Sequence, residues 1–263
     1  MRHIIQFSGG WCSFWAAKRI VDRFGKWATV LLAADTRWEA PDLYTFVEAA
    51  SEHLDVPVTW VADGRNPWEV FRDEKMIGSG RADLCSRILK REVLDKWRLA
   101  NTTAENSIFY LGLDWTEAHR LNGTDERGGM KGIFAPWTVE APMMDEPIWD
   151  KCKMIAEGKK LGLPSPSLYD DGFSHNNCGG FCVKAGQAHF AHLLKMRPDT
   201  YAKNEAEEEK TRLIVGDYSV MKDRRGGGPR RTLTMKTFRE EIQAGTRTYD
   251  RDDWGGCGCS TTV

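Results

Sequence analysis

The feature that most constrains this chain is its first dozen residues, where His3-Ile4-Ile5-Gln6-Phe7 runs into Ser8-Gly9-Gly10-Trp11-Cys12-Ser13. A short apolar run, a Ser-Gly-Gly turn and a helical pattern up to Phe24 predict a strand, a loop and a helix in immediate succession. Two glycines let the backbone take positive φ and approach a ligand closely. A helix that begins just after them turns unpaired N–H groups and its positive dipole end toward whatever sits there. The natural occupant is an anion, and phosphate is the expected one. Taken alone, the six residues are equally compatible with a tight strand-to-helix turn that holds no ligand.

The alternation continues. Trp27 to Ala34 is an uninterrupted apolar run and predicts a strand buried on both faces. Asp35-Thr36-Arg37-Trp38-Glu39 is a polar loop, and Pro41 opens a helix to about Leu54. Val56 to Ala62 predicts a third strand, Asp83 to Trp97 a helix with Asp83 as N-cap, and Ile108 to Leu113 a fourth strand. Strands alternating with helices predict an α/β fold, a doubly wound parallel sheet of Rossmann-like kind. Ligands bind such sheets at the carboxyl ends of the strands, near the switch in strand order. The glycine loop, Asp35-Thr36 and Asp114 all follow strands and are expected to converge there.

This α/β core is drawn as residues 1–125; residues 126–263 predict a helical, Cys-rich region packed on it. Glu146 to Leu161 predicts a helix with Pro147 in its first turn, Ala188 to Leu194 another, and Lys203 to Val215 a charged helix whose acidic run is a solvated face. Asp223 to Arg231, with Arg224, Arg225, Arg230 and Arg231 around three glycines, predicts an exposed basic loop. Gly255-Gly256-Cys257-Gly258-Cys259 is too glycine-rich to be ordered without an anchor.

With 41% hydrophobic and 29% charged residues and a formal net charge of -1, the chain has a globular profile and no overall basicity that would suggest nucleic acid. The start reads as a strand rather than a signal peptide, and the longest apolar run is too short to span a bilayer, so a cytoplasmic protein without a membrane partner is expected. In a reducing compartment the seven cysteines point to a metal or to catalysis rather than to disulfides. Cys12 is expected to pack beside the loop and Cys152 to lie in the core. His189 and His192 share a helical face and are read as structural.

Six stretches in order resemble the phosphoadenosine phosphosulfate reductase family of the PP-loop nucleotide-binding superfamily. Ser8-Gly9-Gly10-x-x-Ser13 is similar to the PP-loop, which cradles a nucleotide's pyrophosphate. Asp35-Thr36 with Glu39 and Pro41 is similar to the loop after the second strand, near the nucleoside. Cys85-Ser86-Arg87-x-x-Lys90 resembles the Cys-x-Arg/Lys motif, and Gly112-Leu113-Asp114-Trp115-x-Glu117-x-x-Arg120 the glycine-led motif after the fourth strand. Pro142 to Asp145, Trp149 and Tyr169-Asp170-x-Gly172-Phe173 resemble the segment before the second cysteine region, and Cys178-x-x-x-Cys182 falls where that region belongs.

The resemblance implies an adenine nucleotide, either ATP or a sulfonucleotide, held by Ser8, Gly9, Gly10, Ser13, Asp35, Thr36, Gly112 and Asp114. Arg87, Lys90 and Arg120 would act as phosphate clamps, with Glu117 orienting Arg120. Many ATP-cleaving loops carry Lys and Asp where this one has Trp11 and Cys12, whereas sulfonucleotide reductases usually lack the full Ser-Gly-Gly. The family's iron–sulfur branch implies a 4Fe–4S cluster on Cys178 and Cys182 with two of Cys85, Cys257 and Cys259; zinc on the same thiols, or thiols without metal, are the alternatives. Cys257 or Cys259 is also the candidate nucleophile that attacks the sulfonucleotide sulfur and is released by a thioredoxin-like dithiol. Three functions follow: sulfonucleotide reduction, an ATP-cleaving sulfur transfer such as nucleic-acid thiolation, which the basic loop favours, and a non-catalytic nucleotide-binding module with a structural metal.

Overall fold

A computed structural model describes residues 1–80, 82–124, 127–223 and 231–255. Five parallel strands form the central sheet: β1 (Arg2–Gln6), β2 (Thr29–Ala34), β3 (Val58–Val61), β4 (Ser107–Leu111) and β5 (Thr138–Glu140), in the order β3-β2-β1-β4-β5. The order reverses between β1 and β4, whose ends pair as Gln6 with Leu111, so the switch point lies at the glycine loop.

The period-2 alternation of strand side chains divides the sheet's two faces. Ile5, Leu31 and Tyr110 face α1 (Trp11–Phe24) and α2 (Pro41–Leu54) in one core, whereas Ile4, Leu32, Phe109 and Leu111 pack with Leu94, Met130 and Phe134 in another. Leu94 belongs to a long helix, α4, residues 84–101, which follows α3 (Pro67–Asp73) and takes π spacing over Arg87–Glu92. Helices thus cover both faces. A third core joins α3 and α4 to α6 (Gln187–Met196), α7 (Pro198–Val215) and α8 (Met235–Gln243) through Trp68, Phe71, Leu89, Phe190, Tyr201 and Phe238. Among the described residues no helix is long and apolar enough to cross a membrane.

Several elements differ from expectation. The second strand starts only at Thr29, because Gly25 ends α1 at φ 85° and Lys26–Ala28 forms a single helical turn that leaves Trp27 92% exposed. Asp83 precedes α4 but makes no side-chain cap; its carboxylate takes Arg91 at 3.0 Å instead. The helix expected from Glu146 is α5 (Lys151–Lys160), which starts where Asp150 accepts the Lys153 amide at 2.7 Å and leaves Pro147 outside. On α5, Met154 and Gly158 face the core and Cys152 is exposed, so the expectation of a core cysteine there is corrected. Strand β5 and helix α3 were not expected: β5 has one buried residue, Val139, and α3 is too short to show a helical period.

The acidic run of α7 is not wholly solvated. Glu208 is fully buried, and its two oxygens accept the Val220 amide at 2.9 Å and the Met235 amide at 2.5 Å. It thereby joins the hairpin Met221–Asp223/Arg231–Leu233 to the first turn of α8. Burial pushes its carboxyl up to about 7.

Two predictions follow from this packing. Gly158→Ala would place a Cβ 1.9 Å from the Trp11 ring, so the variant is expected to lose about 1–3 kcal/mol in a denaturant titration, as overpacked cores do. Glu208→Gln replaces one acceptor by a donor facing a backbone N–H, and should cost about 1–3 kcal/mol. In wild type the unfolded carboxyl ionises before the folded one does, so stability conferred by the neutral group falls as pH rises from about 4.5 to 7. Thermal melts across that range should show the gap between wild type and Glu208→Gln widest at the acid end.

Candidate nucleotide-binding cleft

At the switch point, the carboxyl ends of β1 and β4 open into a cleft of about 220 Å³. Gly9 sits at φ 74°, and Leu43 lies 2.9 Å from where a Cβ would be, so the turn accepts only glycine. Gly10 is the N-cap of α1, and Ser13 donates its Oγ hydrogen to the Gly10 carbonyl at 2.8 Å while the Ser8 hydroxyl donates to Ser13 Oγ at 3.2 Å. The loop is therefore shaped by its own serines, with the α1 N-terminus directed at the cleft. Across the switch point, Gly112 stands against α1 so tightly that a Cβ there would lie 2.6 Å from the backbone of Ser13. The Tyr169 hydroxyl likewise occupies the space over Gly10, 2.9 Å from a Cβ position.

The cleft has two characters. Toward the α4 face its wall is apolar, built from Leu32, Leu94, Leu111, Met130 and Phe134 of one hydrophobic cluster. Toward α1 it is polar, with Ser8, Ser13 and Tyr169. Four cations, Lys90, Arg91, Arg120 and Lys151, share the lining with four carboxylates, Glu39, Asp95, Asp114 and Glu117. Glu117 pairs with Arg120 one helical step away, and caps the Asp114 amide at 3.4 Å. Lys90 stands 3.3 Å from Glu39, both nearly buried.

Of the residues expected to hold a nucleotide, Ser8, Gly9, Gly10, Ser13, Lys90, Gly112, Asp114, Glu117 and Arg120 line this one cleft. Asp35 and Thr36 stand behind it: Asp35 accepts the Tyr44 hydroxyl at 2.7 Å, and Thr36 donates to Glu39 at 3.0 Å. Burial and the Asp35 carboxylate push the Tyr44 hydroxyl up, keeping it a donor. Arg87 is not part of the lining; it is half exposed and paired with Glu92 and Glu74. Trp11 is fully buried against Phe46, whereas Cys12 faces the cleft, where burial first and Asp114 second push its thiol up to about 12.

The reading of the sequence missed Lys151, His175, Asn176 and Asn177, which line the cleft from the second half of the chain. The polar run Ser174-His175-Asn176-Asn177 was the available signal, but the neighbouring cysteines drew the attention to metal.

Cys85, Cys178 and Cys182 border a second, small cavity that shares Lys90 with the cleft and takes in Thr36. Cys178 sits at φ 53°, and its amide donates to Glu39, tying this loop to the cleft. Among the described residues, no three His, Cys, Asp or Glu side chains converge as ligands of one metal ion. Zinc requires ligands converging on one point at about 2.0–2.3 Å, so these three thiols alone do not make a zinc site.

Cys257 and Cys259 lie outside the described residues, as do Arg224, Arg225 and Arg230 of the basic loop. The tail leading to the cysteines has the anchor its composition demands. Ala185 and Gly255 form a β-bridge, the Gly186 amide donates to the Trp254 carbonyl at 3.1 Å, and the Ala188 amide to the Asp253 carbonyl at 3.0 Å. Trp254 packs against His192 and His189, and the ring of His189 stacks on His175 at 5.8 Å. Burial pushes His189 down to about 4, and it meets the Gly180 carbonyl at 2.7 Å, so it is a neutral structural histidine.

No family model matches the chain, and no curated protein matches it in sequence. Among solved structures, it is similar to a phosphoadenylyl-sulfate (PAPS) reductase from Candida auris, with 14% identity, 67% of this chain and 81% of that one covered, and a TM-score of 0.48. It is also similar to the NH3-dependent NAD synthetase from Campylobacter jejuni, with 13% identity, 81% and 83% covered, and a TM-score of 0.41.

Proposed function

We propose that the cleft binds an adenine nucleotide and that the chain is an enzyme acting on sulfur in a sulfonucleotide. The observation that carries the reading is the joining of the Ser8–Ser13 loop, at the N-terminus of α1, to an apolar wall and four cations in one cleft. Amide donors and cations suit phosphates, and the apolar wall suits a base.

The nucleophile of this reading is Cys257 or Cys259. Gly255, which precedes both in the sequence, is fixed beside Ala185, three residues after Cys182. Cys12 is unsuited to the role, because a thiol held near 12 is not a thiolate at neutral pH. The tail thiolate would bond to the sulfonate sulfur as the sulfur–oxygen bond to phosphate breaks and the adenosine phosphate leaves. A thioredoxin-like dithiol would then attack the cysteine sulfur, releasing sulfite and becoming a disulfide. Cys85, Cys178 and Cys182, with one tail cysteine, are the proposed holders of a 4Fe–4S cluster, which would supply positive charge or redox capacity beside Lys90.

One observation favours a second reading, an ATP-cleaving sulfur transferase. The loop has no lysine of its own, but Lys151 of α5 lines the same cleft, close enough to lower the Cys12 thiol by its charge. A cation from another element thereby stands beside the loop where ATP phosphates would need one.

Calorimetric titration of ATP and adenosine 5′-phosphosulfate tests the site: Lys90→Gln is expected to weaken the bound nucleotide about 10- to 100-fold, the range of a charge-assisted hydrogen bond. Sulfite release from the sulfonucleotide with thioredoxin, abolished by Cys257→Ser or Cys259→Ser, selects the first reading; AMP and pyrophosphate without sulfite select the second. Peptide mapping after iodoacetamide at pH 8 should find exposed Cys152 modified and Cys12 intact.

A further inference from the structure

Asn176 is 3% exposed and lines the cleft, yet among the described residues neither its Oδ1 nor its Nδ2 has a hydrogen-bond partner. Buried amides are almost always paired, and leaving both ends unpaired is costly. The loop that carries it is tied down on both sides. Lys151 donates to the Ser174 carbonyl at 2.5 Å on one side of it. On the other, the Asn177 amide donates to His175 Nδ1 at 3.4 Å and the Cys178 amide to Glu39. The loop thus fixes Asn176 at the cleft wall between anchored neighbours, with an acceptor and a pair of donors left for something else.

The chemistry of the missing partner is restricted. Oδ1 needs a donor and Nδ2 an acceptor, side by side. Phosphate and sulfonate oxygens are acceptors only, so the nucleotide's anionic half can answer Nδ2 alone. Its nucleoside half offers both groups together, in the ribose 2′,3′-diol or in the adenine amino group beside a ring nitrogen.

Resting on the nucleotide reading above, we propose that Asn176 is a specificity-determining residue that pairs with an adjacent donor and acceptor on the nucleoside half of the bound nucleotide. Sites built this way reject analogues that lack one of the paired groups, because a buried polar atom is then stranded.

The test uses the full chain and 5′-AMP, the part common to ATP and to adenosine phosphosulfates, titrated against wild type and Asn176→Ala. The variant is expected to bind AMP about tenfold more weakly, while its ligand-free melting temperature stays equal to or above that of wild type, since no internal hydrogen bond is lost. 2′-Deoxy-AMP, 3′-deoxy-AMP and purine riboside 5′-monophosphate, which lacks the amino donor, complete the cycle. The analogue missing the recognised group should bind wild type as weakly as AMP binds Asn176→Ala, and the variant should no longer discriminate against it. Loss with a deoxy analogue assigns the contact to the ribose, and loss with the purine riboside to the base. Unchanged AMP affinity in Asn176→Ala overturns the proposal. So does weakened AMP binding with every analogue bound by wild type as well as AMP, which would mean that the amide meets only phosphate. If wild type binds neither AMP, ATP nor adenosine 5′-phosphosulfate, the nucleotide reading itself fails and this inference with it.

Discussion

A single buried carboxylate holds the parts of the site in register. Glu39 takes the Thr36 hydroxyl from its own loop, the Lys90 ammonium from α4 and the Cys178 amide from the cysteine loop. Those three groups come from separate stretches of sequence. The arrangement also gives the nearly buried Lys90 the counter-charge that a cation withdrawn from water needs. The cleft and the thiol cavity are therefore one construction, sharing Lys90 and braced by the same carboxylate.

Around that node the backbone leaves little slack. Gly112 touches the start of α1, Gly10 lies under the Tyr169 hydroxyl, and Gly158 receives the Trp11 ring. Each contact is made between elements far apart in sequence and needs the absence of a side chain on one partner. Together they press β4, α5 and the segment around Tyr169 onto the glycine loop, which is how a loop of six residues keeps its shape before any ligand arrives. Preorganisation of this kind lowers what binding must spend on ordering.

Much of this was legible in the sequence where a local rule governs. The Ser-Gly-Gly turn, the Pro41–Leu54 helix and the four principal strands each announce themselves by period, cap or turn residue. The convergence of Ser8 and Asp114 followed from a rule about strand ends rather than from any contact, and that of Arg120 from a motif resemblance. What escaped depends on tertiary partners. Glu208 looked like one more surface acid until the hairpin and α8 presented two amides to it. Arg87 and Lys90 look alike in a motif, yet three positions on a helix with π spacing put one on the surface and the other in the cleft. Asn176 carries no pattern of its own; only its burial without partners sets it apart.

The even balance of charge in the cleft has a kinetic meaning. With four cations set against four carboxylates, and with a whole-chain charge of -1, little field extends into solvent to draw an anion inward. Encounter is then governed by diffusion and orientation, with small dependence on ionic strength, unlike sites that recruit phosphate through an open basic funnel. On the proposed reading, selection would happen after arrival, when a phosphate would have to displace Glu39 from Lys90 or Glu117 from Arg120 to be held. Anions too weak to win that exchange would leave again, and the internal carboxylates would then act as a filter that screens small inorganic ions from the cleft.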